Sequence, residues 1–176
     1  MHVEPKQGEA LCSWLARLSN RLTLTPPDTA ACVFALDTYR HPNWWRRPGA
    51  CELAAIANKT GLTIERLRGM TLAGWAEARN DERHQRFGAP GFLRQRAQPK
   101  ALQPLAMCGQ CMASDDEPFI RAEWMIGWTA VCMKHRAVLN AHCPSCGAVL
   151  TLPGINTRRR RRSMWPMRPP ARWIAR

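Results

Sequence analysis

The sequence predicts a mainly α-helical fold, in which an N-terminal helical part with a helix-turn-helix precedes a small cysteine-rich domain and a basic tail. Three observations lead to this prediction. Apolar residues recur at helical spacing in the first half of the chain, five cysteines lie between residues 108 and 146, and residues 158–176 contain eight Arg and no acidic residue. We expect a helical domain with a linker at 1–100, a cysteine-rich domain at 101–157 and the tail at 158–176.

Two helices are predicted in the first forty residues. The first covers residues 9–20, where four apolar residues at positions i, i+3, i+4 and i+7 form one stripe. These are Leu11, Trp14, Leu15 and Leu18. The second covers residues 25–40, because two prolines suit its first turn and apolar residues follow them.

A helix-turn-helix is predicted at residues 52–70. Gly61 supplies the turn because a left-handed residue is cheap for glycine, and Thr63 can cap the second helix. The expected inward-facing residues are Leu53, Ile56 and Ala57 in the first helix and Ile64, Leu67 and Met70 in the second. Arg66 and Arg68 of the second helix are candidates for contacts with nucleic acid or a partner.

Three pairs of potential metal ligands lie between residues 108 and 146. They are Cys108 with Cys111, Cys132 with His135, and Cys143 with Cys146, and two residues separate the members of each pair. A C-x2-C turn directs two thiolates at one ion, and two such pairs complete the tetrahedral shell that Zn2+ prefers. We therefore predict bound Zn2+ in a closed, structural site.

Spacing alone leaves open which pairs share an ion. If neighbouring pairs combine, Cys108, Cys111, Cys132 and His135 form one site, and the last pair is left with at most His142. In the alternative, a ribbon joins the first pair to the last pair and leaves the middle one aside. A redox role for one C-x2-C pair would require a βαβ context that the sequence does not suggest.

The segment between the knuckles begins with acidic residues and a proline, which predicts a helix that starts near Asp115. Its acidic run is better explained by a solvated helix N-terminus than by a Mg2+ site. Ile120, Trp124 and Trp128 are expected to pack beside the metal. The single cysteines at 12, 32 and 51 are expected to be buried small hydrophobic residues.

The formal charge of +13 and the pI of about 10.4 favour an anionic partner, with nucleic acid first. No secretory signal is visible at the N-terminus. The longest apolar run, of about ten residues, is too short to span a bilayer. We therefore expect no membrane association and a cytoplasmic, nucleoid-associated protein.

Two blocks of the sequence resemble the TniQ family over roughly residues 3–150. The first holds a Pro, a Glu and a Ser-Trp-Leu-x-Arg run, here Pro5, Glu9, Ser13, Trp14, Leu15 and Arg17. The second resembles the family's zinc region, here Cys108, Cys111, Arg121, Trp124, Cys132, His135, Leu139 and Cys143 through Gly147. Family members often continue into a second knuckle, whereas this chain has no cysteine after Cys146.

The resemblance implies a bacterial transposition accessory protein that is not a catalyst. TniQ-like proteins connect a target-selecting complex to a AAA+ ATPase regulator, which recruits the transposase. In CRISPR-associated transposons the selector is an RNA-guided effector with its guide RNA. The family fold, a helix-turn-helix part followed by zinc fingers, agrees with the elements predicted from the residues.

The sequence favours two functions and disfavours a third. The adaptor is the main expectation, and a free-standing helix-turn-helix and zinc-finger DNA-binding regulator is the alternative. An enzyme is disfavoured because no nucleophile–base motif, phosphate loop or pair of catalytic carboxylates is evident. The tail is expected to bind DNA or RNA backbone through Arg158, Arg159, Arg160, Arg161 and Arg162.

Overall fold

The computed structural model describes residues 3–37, 45, 48–72, 74, 106–126 and 129–142. Within these ranges the fold is mainly helical, with one two-stranded antiparallel sheet. The helices are α1 Leu11–Arg21, α2 Pro26–Asp28, α3 Ala50–Thr60, α4 Ile64–Gly69 and α5 Gly109–Ser114, with a π-helical turn at Thr29–Val33 and a 3-10 helix at Ala122–Met125. The strands are β1 Val131–Cys132 and β2 Ala137–Val138. No helix within these ranges combines the length and the apolar character that a membrane crossing requires.

Helix α1 confirms the first predicted helix, and its apolar stripe is buried. The indole of Trp14 stacks on Phe34 at a centroid distance of 6.5 Å. Its Nε1 donates a hydrogen bond to the carbonyl of Val3 at 2.8 Å. The chain on both sides of α1 is therefore fastened to the same buried indole.

The second predicted helix starts where expected but is much shorter than residues 25–40. The side chain of Thr25 accepts a hydrogen bond from the backbone N–H of Asp28, and both prolines lie in the first turn. The π-helical turn then ends at Val33, and Ala35 adopts a left-handed φ of 54° that a helix cannot continue. The chain leaves the helical path at the point where Phe34 packs on Trp14.

Helices α3 and α4 are joined by a short turn at Gly61, which has a φ of 74°. Thr63 caps α4 by accepting a hydrogen bond from the backbone N–H of Arg66 at 3.2 Å. The expected core residues are largely correct, since Leu53, Ile56, Leu67 and Met70 are buried and Ala57 packs against the core. The prediction that Ile64 faces inward is wrong. Ile64 is exposed, and Leu62 in the turn is buried instead.

The N-terminal segment joins the helical part to the cysteine-rich part. The backbone N–H of Ala10 donates to the carbonyl of Ile120 at 2.8 Å, and that of Ala122 donates to Gly8 at 2.9 Å. One hydrophobic cluster accordingly contains residues of α1, α3, α4 and the cysteine region. The predicted linker and the domain boundary near residue 100 fall outside the described ranges.

The helix expected to start near Asp115 is absent from the described part of that segment, which holds only the 3-10 helix Ala122–Met125. The acidic run follows the end of α5 instead, and Asp115 already has extended backbone angles. Ile120 and Trp124 are buried as expected, whereas Trp128 is outside the described residues. Among the single cysteines only Cys12 is buried, because Cys32 and Cys51 lie on exposed helical faces.

Candidate metal centre

The two ligand pairs are presented by two different local structures. Cys108 is the N-cap residue of α5 and Cys111 lies one turn later, so both thiols point to the same side of the helix start. Cys132 belongs to β1, and His135 lies in the turn that connects β1 to β2. Arg136 has a left-handed φ of 50°, which closes this turn tightly after the histidine.

Backbone hydrogen bonds hold the two knuckles against each other. Met107, next to the first cysteine, exchanges both backbone hydrogen bonds with Asn140, at 3.0 and 2.9 Å. The N–H of Leu139 donates to the carbonyl of Ala130 at 2.8 Å and extends the hairpin. The ligand pairs, twenty residues apart in sequence, are thus brought together by main-chain hydrogen bonds of residues that flank them.

The four ligand atoms lie within 4.8 Å of one another. The Nδ1 of His135 is 3.2 Å from the sulfur of Cys111, 3.6 Å from that of Cys108 and 3.9 Å from that of Cys132. The sulfurs of Cys111 and Cys132 are 3.6 Å apart. The edges of a tetrahedral zinc site are about 3.8 Å between sulfurs and about 3.6 Å between sulfur and nitrogen, given the usual bond lengths. The arrangement therefore fits a single Zn2+.

The environment of the thiols favours a bound cation. All three cysteines are buried and His135 is half-buried. Burial raises the pKa of the Cys111 thiol to about 12, and the thiols of Cys132 and Cys108 add to this rise. Burial also raises the pKa of Cys132, but hydrogen bonds from backbone groups and the neighbouring thiols outweigh it and lower the pKa overall. Thiolates packed this closely need a positive charge among them.

Arg121 supplies a fixed positive charge near the cluster. Its Nη2 contacts both carboxylate oxygens of Asp115, at 3.2 and 3.0 Å. Its guanidinium carbon lies 4.5 Å from the ring centroid of Phe119 and 4.9 Å from that of Trp124. Its charge opposes the rise in the pKa of Cys111. A Cys3His shell around a divalent cation keeps one net negative charge, and this guanidinium, although paired with Asp115, favours that charge.

An ionic network that is buried at Glu9 and exposed at Glu117 connects α1 to the segment before the 3-10 helix. The carboxylate of Glu9 accepts hydrogen bonds from the hydroxyl of Ser13 at 3.0 Å, the backbone N–H of Lys6 at 3.0 Å and Nη1 of Arg17 at 2.6 Å. Nη2 of Arg17 then donates to Glu117 at 2.7 Å. Burial raises the pKa of Glu9, whereas Arg17 lowers the pKa of Glu117.

This network explains why two distant sequence blocks belong together. The hydroxyl of Ser13 also accepts a hydrogen bond from the backbone N–H of Ile120 at 2.9 Å. Ser13 and Arg17 are four apart on one side of α1, and Glu9 lies just before the helix begins. The resemblance singled out these residues, but residue types and spacing gave no sign that their partner would be Glu117.

The other predicted site residues are placed differently. Arg66 and Arg68 are exposed on α4. Nη2 of Arg66 donates to the carbonyl of Pro5 at 3.0 Å and lies 3.4 Å from Glu4, so its guanidinium is already engaged by the N-terminal segment. Cys143, Cys146 and the arginines at 158–162 lie outside the described residues.

Comparison with known proteins points to one family. The family model described as TniQ matches residues 1–139 of the chain. The match contains both the Glu9–Arg17 network and the four clustered ligands, and it stops before Cys143. A search of the curated proteins found no relative that matches.

Proposed function

The chain belongs to the TniQ family, and on this basis we propose that it is a non-catalytic adaptor in DNA transposition. In this role it links a target-selecting complex to a AAA+ ATPase regulator and, through the regulator, to the transposase. The observation that carries the proposal is the family match across residues 1–139.

Zn2+ is the proposed ion of the metal centre, held by Cys108, Cys111, Cys132 and His135. Three thiolates and one imidazole are donors that zinc favours, and the distances between them suit its bond lengths. Four protein ligands leave no position for a water molecule, so the ion supplies folding free energy rather than Lewis-acid chemistry. This supports the proposal that the isolated protein catalyses neither hydrolysis nor group transfer.

The adaptor role is tested by reconstitution with the AAA+ regulator of the same transposable element. The zinc-loaded chain should bind the purified regulator and increase its recruitment to target DNA. The clean chain alone should hydrolyse neither ATP nor DNA. Failure to bind the regulator, or a hydrolytic activity that a single point change abolishes, would contradict the adaptor role.

The target selector is proposed to include an RNA-guided effector, in line with the relatives that serve CRISPR-associated transposons. The strongly basic character of the chain, with a formal charge of +13, supports contact with nucleic acid in such a complex. Co-purification with an effector, with and without its guide RNA, tests this part. If the chain engages its target without an effector and without guide RNA, the target selector would belong to another class.

The Arg-rich tail is proposed to add affinity for DNA or RNA backbone without sequence preference. Each phosphate contact releases counterions, so the contribution of Arg158 to Arg162 must weaken as salt rises. A 1–157 truncation should bind nucleic acid more weakly and with a shallower dependence on salt than the full chain. Identical salt slopes would show that these arginines do not touch nucleic acid.

The helix pair α3 and α4 supports the alternative role of a DNA-binding regulator, because a glycine turn and a capped second helix are typical of such modules. The hydrogen bond from Arg66 to Pro5 counts against base recognition by that side chain. Selection from random duplex DNA separates the two roles. A single enriched sequence whose binding is lost in Arg68→Ala would favour the regulator.

A further inference from the structure

The β1–β2 hairpin has an apolar outer face, formed by Val131, Met133 and Val138, which we call the hairpin patch. Val131 and Val138 are direct partners across the two strands. These two residues are 41% and 68% exposed, and Met133 is 78% exposed. The alternate positions, Cys132 and Ala137, face the metal ligands and the core. The hairpin therefore has one face for the metal and one apolar face towards solvent.

Exposed apolar residues are concentrated here rather than scattered. Five large hydrophobic residues are exposed in the described part of the chain, and three of them form the hairpin patch. Strand propensity accounts for the valines but not for Met133, which lies in a turn where small polar residues are usual. Unbranched, polarizable methionine suits a surface that adapts to a partner.

The edge of the hairpin patch is cationic. Lys134 and Arg136 lie in the turn and are both exposed. No acidic residue occurs between residues 129 and 142. The one carboxylate within ion-pair distance of Lys134 in the described residues is that of Asp115, at 3.8 Å. A complementary surface would present apolar side chains beside carboxylates.

The charges of Lys134 and Arg136 indicate which class of molecule covers the hairpin patch. A two-fold contact with a second copy would bring the same lysine and arginine face to face. Each chain also carries a formal charge of +13, and such like-charge contacts oppose association. Nucleic acid would satisfy the two cations, but the valines offer no hydrogen bonds to phosphates or base edges. An acidic protein segment satisfies both parts of the surface.

We propose that the hairpin patch docks an acidic segment of a partner protein, whose apolar side chains cover Val131 and Val138 while its carboxylates lie beside Lys134 and Arg136. The metal ligands on the opposite face hold the hairpin in the docking geometry. The adaptor role proposed above does not say which surface of the chain binds a partner. The docking proposal for the hairpin patch holds whichever partner protein the adaptor joins.

Selection from a random peptide display library tests the chemistry without a known partner. The zinc-loaded full chain serves as bait, and a Val131→Ser/Val138→Ser variant serves for counter-selection. Peptides that prefer the wild-type chain should combine Asp or Glu with Leu, Ile, Phe or Trp. A synthetic copy of an enriched peptide should bind the double variant about tenfold more weakly, as expected when a buried apolar contact is lost.

Two controls keep the test specific. Leu24→Ser removes an apolar residue of similar exposure, 38%, away from the hairpin and should leave peptide affinity unchanged. Lys134→Gln/Arg136→Gln, which removes both charges without placing a carboxylate beside Asp115, should weaken binding of the acidic peptides, and zinc content and unfolding midpoint are measured alongside the wild-type chain. Variants that retain zinc show that weaker binding does not come from misfolding.

Several results would overturn the proposal. One is the absence of peptides that prefer the wild-type chain, and another is enrichment of basic or purely polar peptides. Self-association that is lost in the valine double variant would assign the patch to a second copy. Loss of DNA affinity in the same variant would assign it to nucleic acid.

Discussion

Glu9 is an electrostatically demanding residue, because its carboxylate is fully buried. Burial raises its pKa, and the hydrogen bonds from Lys6, Ser13 and Arg17 oppose that rise. Arg17 supplies the one positive charge among these donors and also reaches Glu117. Removal of the arginine would leave a carboxylate without a counter-ion in the core.

Arg17→Met should lower the free energy of unfolding by about 3 kcal/mol at neutral pH, a magnitude typical of a buried charge that loses its partner. The deficit should be larger at about pH 8 than at about pH 5.5, because Glu9, with its pKa raised further, becomes protonated in the folded state as the pH falls. Glu117, whose pKa is lowered by Arg17, stays ionised over this range in the wild-type protein. Urea unfolding of the zinc-loaded proteins measures both effects.

The matched control is Glu9→Gln/Arg17→Met, which removes the charge and its partner together. It should recover part of the lost stability and show a weaker dependence on pH than Arg17→Met. An Arg17→Met protein as stable as the wild type would contradict the importance assigned to this pair.

Thr23 is strained, because it follows the C-cap residue of α1, Leu22, with a left-handed φ of 55°. The N–H of Thr23 donates to Asn20 and that of Leu24 donates to Ser19, a pair of bonds in which glycine is the usual residue. Thr23→Gly should therefore raise the free energy of unfolding by about 1 kcal/mol, measured by urea titration. Asn20→Gly, inside the same helix, should lower it by about 0.3 kcal/mol. Loss of stability in Thr23→Gly would contradict the strain argument.

At the level of elements, α4 depends on its cap. Thr63 satisfies the N–H of Arg66, one of the four N–H groups that a helix start leaves without partners. Thr63→Ala should cost about 1 kcal/mol of stability, while Thr63→Ser should cost much less because it keeps the hydroxyl. Thermal unfolding followed by circular dichroism separates the two variants. Equal losses would show that the threonine methyl group, not the hydrogen bond, matters.

Local signals predicted some elements well and others poorly. The turn at Gly61 and the cap at Thr63 can be predicted from the chemistry of these two residues. Helix α1 can be predicted from its periodic apolar stripe, because that stripe is the buried side of the helix. The π-helical turn after α2 ends at Val33, where Phe34 packs on Trp14, a contact that no local pattern encodes. The segment after Asp115 is likewise set by tertiary pairing, since Ile120 and Ala122 bond to the N-terminal segment.

In the candidate metal centre, too, local sequence signals predicted one part and tertiary contacts determine the rest. Short spacing predicted the ligand pairs, but the choice between neighbouring pairs and a ribbon was open in the sequence. The backbone pairing of Met107 with Asn140 brings Cys108 and Cys111 to Cys132 and His135. The role of Arg121 beside these thiols depends on a stack with Phe119 and Trp124 that spacing could not reveal.

At the scale of the whole molecule, the proposed ion and the Glu9 network each connect segments that are distant in the sequence. The network fastens α1 to residues 117–120, and the ligands fasten α5 to the hairpin. A small cysteine-rich region has little core of its own, so the metal should contribute much of its stability. Loss of the metal should therefore disturb both the hairpin and the surface that surrounds it.

The measurement that tests this most directly is the zinc content of the purified full chain together with its unfolding in the presence and absence of a chelator. We predict at least one tightly held zinc per chain, a large loss of stability on chelation, and loss of that zinc in Cys111→Ser. Cys51→Ser, which changes an exposed free cysteine, should keep the zinc and the stability. A metal-free wild-type chain that unfolds at the same midpoint with or without zinc would contradict the account.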